Sequence, residues 1–392
     1  MINFPFSFNE KSSLLLIFFF HGLVFSVLLF REGLRHNSKS SKWLSLLLFL
    51  YAMYITPYML GYAGWYGEDT TADILFFIPF MQVLLIGPVV YFYTKSQLNT
   101  SFALSKKDYI HFIPAVLYMI YSLVIFVTDK LILEEYYFYA IKRDKDLANW
   151  YQAVGLGSMV CYLILSLRYY SNYKRLIFDR VSYAESILFK WVRNFMVAFL
   201  GILLLRVLFF ITNPEWGNFG SQFWHYIAFS FIFYYIAITG YSSVIKQIAL
   251  ESEKLKVVNV FEEDVTDIEQ DNIPGKVDEN YSKWEKELSK LMLEKRLFEN
   301  PRLALSDVAK ELNITTKTVS QTVNTCFNMN FNDFVNHYRI EAVKEKLERE
   351  EHTQTTLLGI ALNSGFNSKA TFNRAFKKST SLSPKDYIDK LS

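Results

Sequence analysis

Long apolar runs recur through the first two-thirds of this 392-residue chain and limit its fold more than any other feature. Each run is close in length to the roughly 20 residues that an α-helix needs to cross the hydrocarbon core of a bilayer. Seven such runs lie at 13–30, 43–60, 74–94, 109–127, 150–170, 192–212 and 222–245. The sequence therefore predicts a polytopic transmembrane bundle of about seven helices over residues 1–245.

The apolar character ends near Ile245, and residues 246–392 are charged and polar. The chain as a whole is 52% apolar, above the roughly 45–50% of ordinary soluble domains, and nearly all of the excess precedes Ile245. The two cysteines, Cys161 and Cys326, lie on opposite sides of this boundary, so no disulfide framework is expected. We expect a membrane part and an aqueous part in one polypeptide.

The distribution of positive charge between the loops predicts the orientation of the bundle. Basic residues follow the first, third and fifth runs, whereas the loops at 61–73 and 212–222 contain no Lys or Arg. The loop at 128–149 is mixed, because its basic residues alternate with acidic ones. Since Lys and Arg collect in cytoplasmic loops, the N-terminus is predicted outside and the C-terminus inside the cell.

Three polar residues, Asp73, Arg206 and His225, lie near the outer ends of predicted spans. Polar groups in spans are costly and often functional, so one interpretation is an outward-facing pocket for an anion or another polar ligand. In the other interpretation, Arg206 extends to the lipid headgroups and His225 is interfacial. We find no metal-ligand spacing and no nucleophile–base set, so no metal, cofactor or catalytic residue is predicted.

Residues 246–280 have an acidic excess, a Pro-Gly pair and no apolar periodicity. This composition is typical of a flexible linker, and about 35 such residues have an r.m.s. end-to-end distance of roughly 30–35 Å. An amphipathic helix begins near Tyr281. We therefore expect a separate domain at 281–392, held away from the bilayer by the linker.

Two segments of that domain, 305–324 and 358–376, follow one pattern. Each has a short helix with a small alanine, a residue that tolerates a left-handed turn, an apolar residue, a hydroxyl N-cap and a second helix with two buried apolar residues. The matching residues are Ala309, Asn313, Ile314, Thr315, Val319 and Val323 in the first segment, and Ala361, Gly365, Phe366, Ser368, Phe372 and Phe376 in the second. The pattern predicts two helix-turn-helix units.

The segment between the two units, 332–350, has its apolar residues on one stripe, which predicts a helix that packs on both units. A helix of about 18 residues is about 27 Å long. Successive major-groove faces of B-DNA recur every 34–36 Å. One connecting helix can therefore set two recognition helices in successive grooves.

Residues from about 281 to 392 resemble the DNA-binding domain of AraC/XylS-type transcriptional regulators. The resemblance is carried by HYRIEAVKEKL at 337–347 and by IALNSGFNSKATFNRAFKKSTSLSPKDYI at 360–388. It implies an all-helical domain that binds double-stranded promoter DNA in a bacterium, often joined to an unrelated sensing domain. Asn330 and Ser381 depart from the family, which often has Gly at these positions.

The exposed faces of the two predicted recognition helices carry side chains suited to a major groove. Arg374 can bond guanine, Gln321 can bond adenine, and Thr371 can contact a thymine methyl group. The candidate base-reading residues are Lys317, Ser320, Gln321, Asn324, Thr371, Asn373, Arg374 and Lys377. The candidate phosphate contacts are Thr316, Ser368, Lys369 and Lys378. Residues 301–392 have 13 Lys and Arg against 10 Asp and Glu, so affinity should depend on the fit of both units.

Two functions are compatible with this organisation. In the first, a regulator in a bacterial cytoplasmic membrane senses a signal ligand and controls promoter binding, either through dimerisation or through proteolytic release within 251–280; a homodimer is left open. In the second, the membrane part is a transporter or intramembrane enzyme with an appended regulatory or docking domain. We find no inverted pair of Gly- or Pro-broken spans to favour the second.

Overall fold

The computed structural model describes residues 8–67, 69–99, 101–140, 144–187, 190–212, 219–252 and 280–391. The fold in these ranges is all-helical, and an isolated antiparallel bridge between Val181 and Ala304 is their only extended pairing. The chain divides into two compact units. The first unit comprises Met1–Tyr170 and Phe189–Asn259, and the second comprises Ser171–Leu188 and Val260–Ser392.

In the described residues, nine α-helices begin before the predicted linker. They are α1 (Glu10–Arg35), α2 (Lys39–Tyr62), α3 (Asp69–Leu75), α4 (Val83–Leu98), α5 (Ile113–Phe126), α6 (Asn149–Arg180), α7 (Ala184–Ile187), α8 (Lys190–Thr212) and α9 (Phe223–Ser252). Helix α5 is the centre of a continuous helical stretch, Lys106–Ile132, whose ends are 3₁₀ and π turns. Helix α7 and the last ten residues of α6 belong to the second unit.

Six helical stretches in the described part of the chain have the length and apolar composition to cross a membrane: α1, α2, Lys106–Ile132, α6, α8 and α9. They coincide with six of the seven predicted runs. The third run, 74–94, is not one helix. Its first helical part ends at Leu75, and the chain becomes α-helical again only at Val83. Helix α4, with 16 residues, is about 24 Å long and is buried along most of its length.

Pro79 explains the break in the third run. Proline lacks a backbone N–H and disfavours the helical conformation of the residue before it, here Ile78. Buried side chains satisfy the freed backbone: Met81 donates its N–H to Asp146 Oδ2 at 2.8 Å, and its carbonyl accepts from Tyr151 at 2.7 Å. The non-helical backbone is therefore stable inside the first unit.

Small residues bring α1 and α2 close together. Ser26 donates to the Ser45 carbonyl at 2.8 Å, and Ser45 donates back to the Ser26 carbonyl at 2.7 Å. Large apolar side chains remain exposed on the outer faces of α1, α8 and the 106–132 stretch; among them are Ile17, Val27, Leu117, Leu123, Val197, Leu204 and Ile211. Interhelical serine pairs and an apolar exterior are typical of helix packing in lipid.

Within the described residues, seven further α-helices begin at or after Asn280, all in the second unit. They are α10 (Asn280–Lys295), α11 (Leu305–Leu312), α12 (Thr316–Cys326), α13 (Phe331–Glu348), α14 (Leu357–Asn363), α15 (Lys369–Thr380) and α16 (Pro384–Leu391). Of the predicted linker, residues 246–252 continue α9, and Asn280 begins α10. Residues 253–279 lie outside the described residues.

Helices α11–α12 and α14–α15 form the two predicted helix-turn-helix units. The turns adopt left-handed conformations at Asn313 (φ 52°) and Gly365 (φ +91°). At Gly365 a Cβ atom would lie 2.1 Å from the Phe298 carbonyl oxygen, so this turn requires glycine. Thr315 and Ser368 cap α12 and α15, as their positions in the sequence predict.

Helix α13 packs on both helix-turn-helix units, which confirms the predicted connecting helix. Its Phe334 and Val335 lie in an apolar cluster with Val319 and Val323 of α12. Its Ile340, Val343 and Leu347 lie in a second cluster with Phe372 and Phe376 of α15. One helix therefore belongs to both cores.

The two positions that depart from the family differ in backbone conformation. Asn330 has φ −77° and caps α13 by accepting the Asp333 N–H at 2.8 Å, so glycine is not needed there. Ser381 ends α15 in a left-handed conformation with φ 61°. A non-glycine residue in this conformation costs about 1–2 kcal/mol.

We expect Ser381→Gly to stabilise the C-terminal helices by about 0.5–1 kcal/mol, because the relief of left-handed strain exceeds the greater entropy loss of glycine. Native-state hydrogen exchange of the α15 amides in the full-length protein measures the change. Ser379→Gly, inside α15, is the matched control and should instead destabilise by about 0.5 kcal/mol. Equal exchange rates in the two variants would contradict the strain at Ser381.

Candidate nucleic-acid interface

Helix α12 presents one polar face, because burial of Val319 and Val323 fixes its rotation. Three candidate base-reading residues on the opposite face, Lys317, Gln321 and Asn324, are exposed, and Ser320 is half-buried. Gln321 accepts a hydrogen bond from the Tyr281 hydroxyl of α10, with 3.1 Å between Oη and Oε1. This bond orients the amide of Gln321, and because an amide oxygen can accept two hydrogen bonds, it leaves one for an adenine amino group.

Helix α15 presents Asn373, Arg374 and Lys377 to the outside, as the sequence predicts. Thr371 is different: its side chain is only 4% exposed, and its hydroxyl lies 2.9 Å from Ser368 Oγ. Thr371 therefore belongs to the hydrogen-bonded cap of α15, and the prediction that it lies on the exposed face of this helix is wrong.

The candidate phosphate contacts lie around the starts and ends of the recognition helices. Lys369 is exposed in the first turn of α15, and Thr316 and Ser368 are half-buried. Ser368 Oγ already accepts the Thr371 N–H at 3.2 Å. Lys378 is 66% exposed and lies 2.7 Å from Asp333 of α13. A lysine so exposed can exchange this carboxylate for a DNA phosphate at little cost.

Arg374 forms an ion pair that no pattern in the sequence predicts. Its guanidinium contacts the carboxylate of Glu185 in α7, which belongs to the same compact unit. The Arg374 side chain is still 60% exposed. The most specific of the predicted base-reading groups is thus paired with an acid at the protein surface.

A second arginine, Arg339, is buried in the middle of α13. It donates hydrogen bonds to the carbonyl oxygens of Phe298 and Asn300, each at 2.8 Å, and to Ser182 Oγ at 2.9 Å. Burial lowers the pKa of Arg339 to about 9. A cation placed within the otherwise apolar stripe of α13 is the sequence signal that could have identified this residue.

Residues 181–185 pack on the helix-turn-helix domain through backbone and side-chain bonds. The Ser182 N–H donates to the Leu303 carbonyl at 3.0 Å, beside the bridge of Val181 with Ala304. Asn332 of α13 donates to the Ser182 carbonyl at 2.7 Å. Nothing in the local sequence of this segment indicated such a contact.

Two of the candidate ligand residues of the first unit, Arg206 and His225, are buried. Arg206 is 4% exposed, donates a hydrogen bond to Gln152 Oε1 and lies 5.6 Å from the centre of the Tyr54 ring. His225 is 1% exposed, and neither ring nitrogen has a hydrogen-bond partner within the described part of the chain. This burial favours the pocket interpretation over an Arg206 side chain that extends to the lipid headgroups. The side chain of Asp73 lies outside the described residues.

Comparison with known families places the recognition elements in one domain. Residues 308–390 match a family model described as a helix-turn-helix domain, and the matched range runs from α11 to α16. It contains both units and the connecting helix α13. No curated protein and no solved structure matches the chain.

We expect Thr371→Ser to leave base preference unchanged, because the substitution removes only a methyl group from a buried side chain. The measurement is selection of bound duplexes from a random-sequence pool by the full-length protein. Arg374→Ala is the comparison and should change the preference at one base position. A thymine preference that disappears with Thr371→Ser would restore the original assignment of this residue.

Proposed function

Because residues 308–390 form a helix-turn-helix domain of the AraC type, we propose that this DNA-binding regulator acts from a membrane. The observation that carries its sequence-specific function is the packing of α13 on both units. This single helix holds α12 and α15 in one fixed arrangement, each with polar residues on its outer face. Two successive major grooves are the expected target.

Base readout is assigned to the exposed residues of the two recognition helices. Gln321 and Asn324 of α12 suit adenine edges, and Arg374 of α15 suits guanine. Lys317, Ser320, Asn373 and Lys377 lie around them and complete the reading surface. Lys369 and Lys378, with Thr316 and Ser368, contact phosphates and set the register. The target is double-stranded promoter DNA.

Anchoring in a bilayer is supported by the six long apolar helices and by the apolar exteriors of α1, α8 and the 106–132 stretch. Helix α4 is the seventh crossing in this proposal. Its 16 residues are few for a span, but its burial within the first unit shields it from lipid. With seven crossings the two termini lie on opposite sides of the membrane, and the basic loops favour the N-terminus outside and the C-terminal domain in the cytoplasm of a bacterium.

The first unit acts as the sensor in this proposal. Arg206 and His225 are its candidate ligand residues because both are polar and buried in helices long enough to span a membrane. Asp73 remains a candidate from its position in the sequence alone. The signal changes promoter binding through dimerisation or through cleavage within 251–280. No catalytic role is assigned to the chain.

We expect Arg374→Ala to weaken binding by about 1–3 kcal/mol at one base position and to relax specificity there. Lys378→Ala should weaken all sequences alike and reduce the slope of log affinity against log salt concentration by about 0.9. Both are measured by titrating the full-length protein, in detergent, with selected and random duplexes. Equal losses on both duplexes from both variants would contradict the assignment of Arg374 to base readout.

The regulator itself is tested by genome-wide crosslinking in intact cells, with wild type beside Gln321→Ala/Arg374→Ala. We expect discrete loci for wild type and their loss in the double variant. Absence of loci in wild type would favour the docking alternative, and substrate flux into vesicles by a chain lacking 281–392 would favour a transporter. Fractionation of the same cells shows whether full-length or cleaved protein occupies the loci.

A further inference from the structure

The segment 181–185 is the strongest feature of the second unit that DNA recognition does not explain. It comprises the turn between α6 and α7 and the first two residues of α7. It lies far in sequence from the domain on which it packs, since Ser182 and its partner Asn332 are 150 residues apart. Val181, Ser182 and Ala184 are fully buried. A short loop that served only to connect two helices would not need this burial.

The receiving surface is formed by the backbone at 303–304 and by helix α13 of the recognition domain. Leu303 supplies a backbone acceptor, and Asn332 and Arg339 of α13 supply side-chain donors to Ser182. These bonds satisfy both the N–H and the carbonyl of Ser182, as well as its hydroxyl. The docking position is thus specified by several directional bonds to a single residue.

This docking places an acid on the reading face. Glu185, three residues after Ser182, pairs with the guanidinium of Arg374. Arginine reads guanine by presenting two parallel N–H groups to O6 and N7, and a carboxylate is the competing ligand with the same bidentate preference. Glu185 engages the Nη2 group of Arg374, so a guanine that bonds the same N–H group has to displace Glu185.

We propose that residues 181–185 form an inhibitory docking segment that holds Glu185 on Arg374 when no operator is bound. The inference rests on the proposed function of Arg374 in base readout. Ser182 positions the segment, and Glu185 carries the inhibition. Because the segment is flanked in the chain by α6 and α8, both long enough to span a membrane, a movement of either helix provides a route for releasing it.

The first test measures affinity of the full-length protein, in detergent, for a duplex that wild type has selected from a random-sequence pool. Glu185→Gln removes the competing charge and keeps the shape of the side chain. The Arg374 side chain is largely exposed, so we expect a modest gain in affinity of about two- to fivefold. In the Arg374→Ala background, the same change should have no effect, because its partner is gone.

Glu348→Gln, on the exposed end of α13, is the matched control for the general effect of removing one negative charge. Equal gains in affinity from Glu185→Gln and Glu348→Gln would overturn the inhibitory role, and so would a gain that persists in the Arg374→Ala background. In either case, binding of the selected duplex by wild type would still support the proposed function. If neither wild type nor any variant selected a duplex, the proposed function itself would be overturned.

The second test follows the docked segment directly by hydrogen exchange in the full-length protein. Without DNA, the Ser182 amide should be protected by its bond to Leu303. Saturation with the selected duplex should speed its exchange at least severalfold, whereas the amides in the centre of α13 should stay protected. Undiminished protection of Ser182 in the DNA complex would show that binding does not require release of the segment.

Discussion

The burial of α13 in two separate apolar cores is the interaction on which the recognition domain depends. Phe334 and Val335 pack with α12, and Ile340 and Val343 pack with α15. Because native cores are close-packed, neither recognition helix can shift without disturbing its own half of α13. The spacing of the two reading faces is therefore a property of one continuous helix. Such rigidity matters because residues 301–392 have a net charge of only +3, and electrostatic attraction alone would give little affinity for DNA.

Much of this architecture could be predicted because it depends on local patterns. Asn313 and Gly365 are residues that tolerate left-handed turns, and Thr315 is a hydroxyl N-cap that needs only its own helix to act. The broken third apolar run could not be predicted in the same way. Hydropathy continues through Pro79, and whether the break is tolerated depends on Asp146 and Tyr151, which lie far away in sequence.

The candidate DNA-binding residues likewise include some that local patterns predict and some that they do not. Burial of Phe372 and Phe376 correctly predicts that Arg374 and Lys377 face outward. The same pattern misplaces Thr371. This residue precedes Phe372 and lies one turn before half-buried Ala375, so it is on the edge of the buried face, where its hydroxyl joins the cap at Ser368. Side-chain periodicity resolves the centre of a helix face well and its edges poorly. The Glu185–Arg374 pair has no periodic signal at all, because it joins elements that only tertiary folding brings together.

Arg339 links these separate features into one mechanism. Its guanidinium bonds the carbonyls of Phe298 and Asn300, which precede the first helix-turn-helix unit, and also Ser182 of the docking segment. A Cβ atom added at Gly365, in the turn of the second helix-turn-helix unit, would lie 2.9 Å from Arg339 Nε. All of these acceptors are neutral oxygens, so the buried charge depends on every bond being kept. Release of residues 181–185 would remove the two acceptors that Ser182 supplies to Arg339, its carbonyl oxygen and its Oγ, and would free Arg374 from Glu185 in the same movement. A single buried cation thereby makes the docking of the segment sensitive to the packing of both reading units.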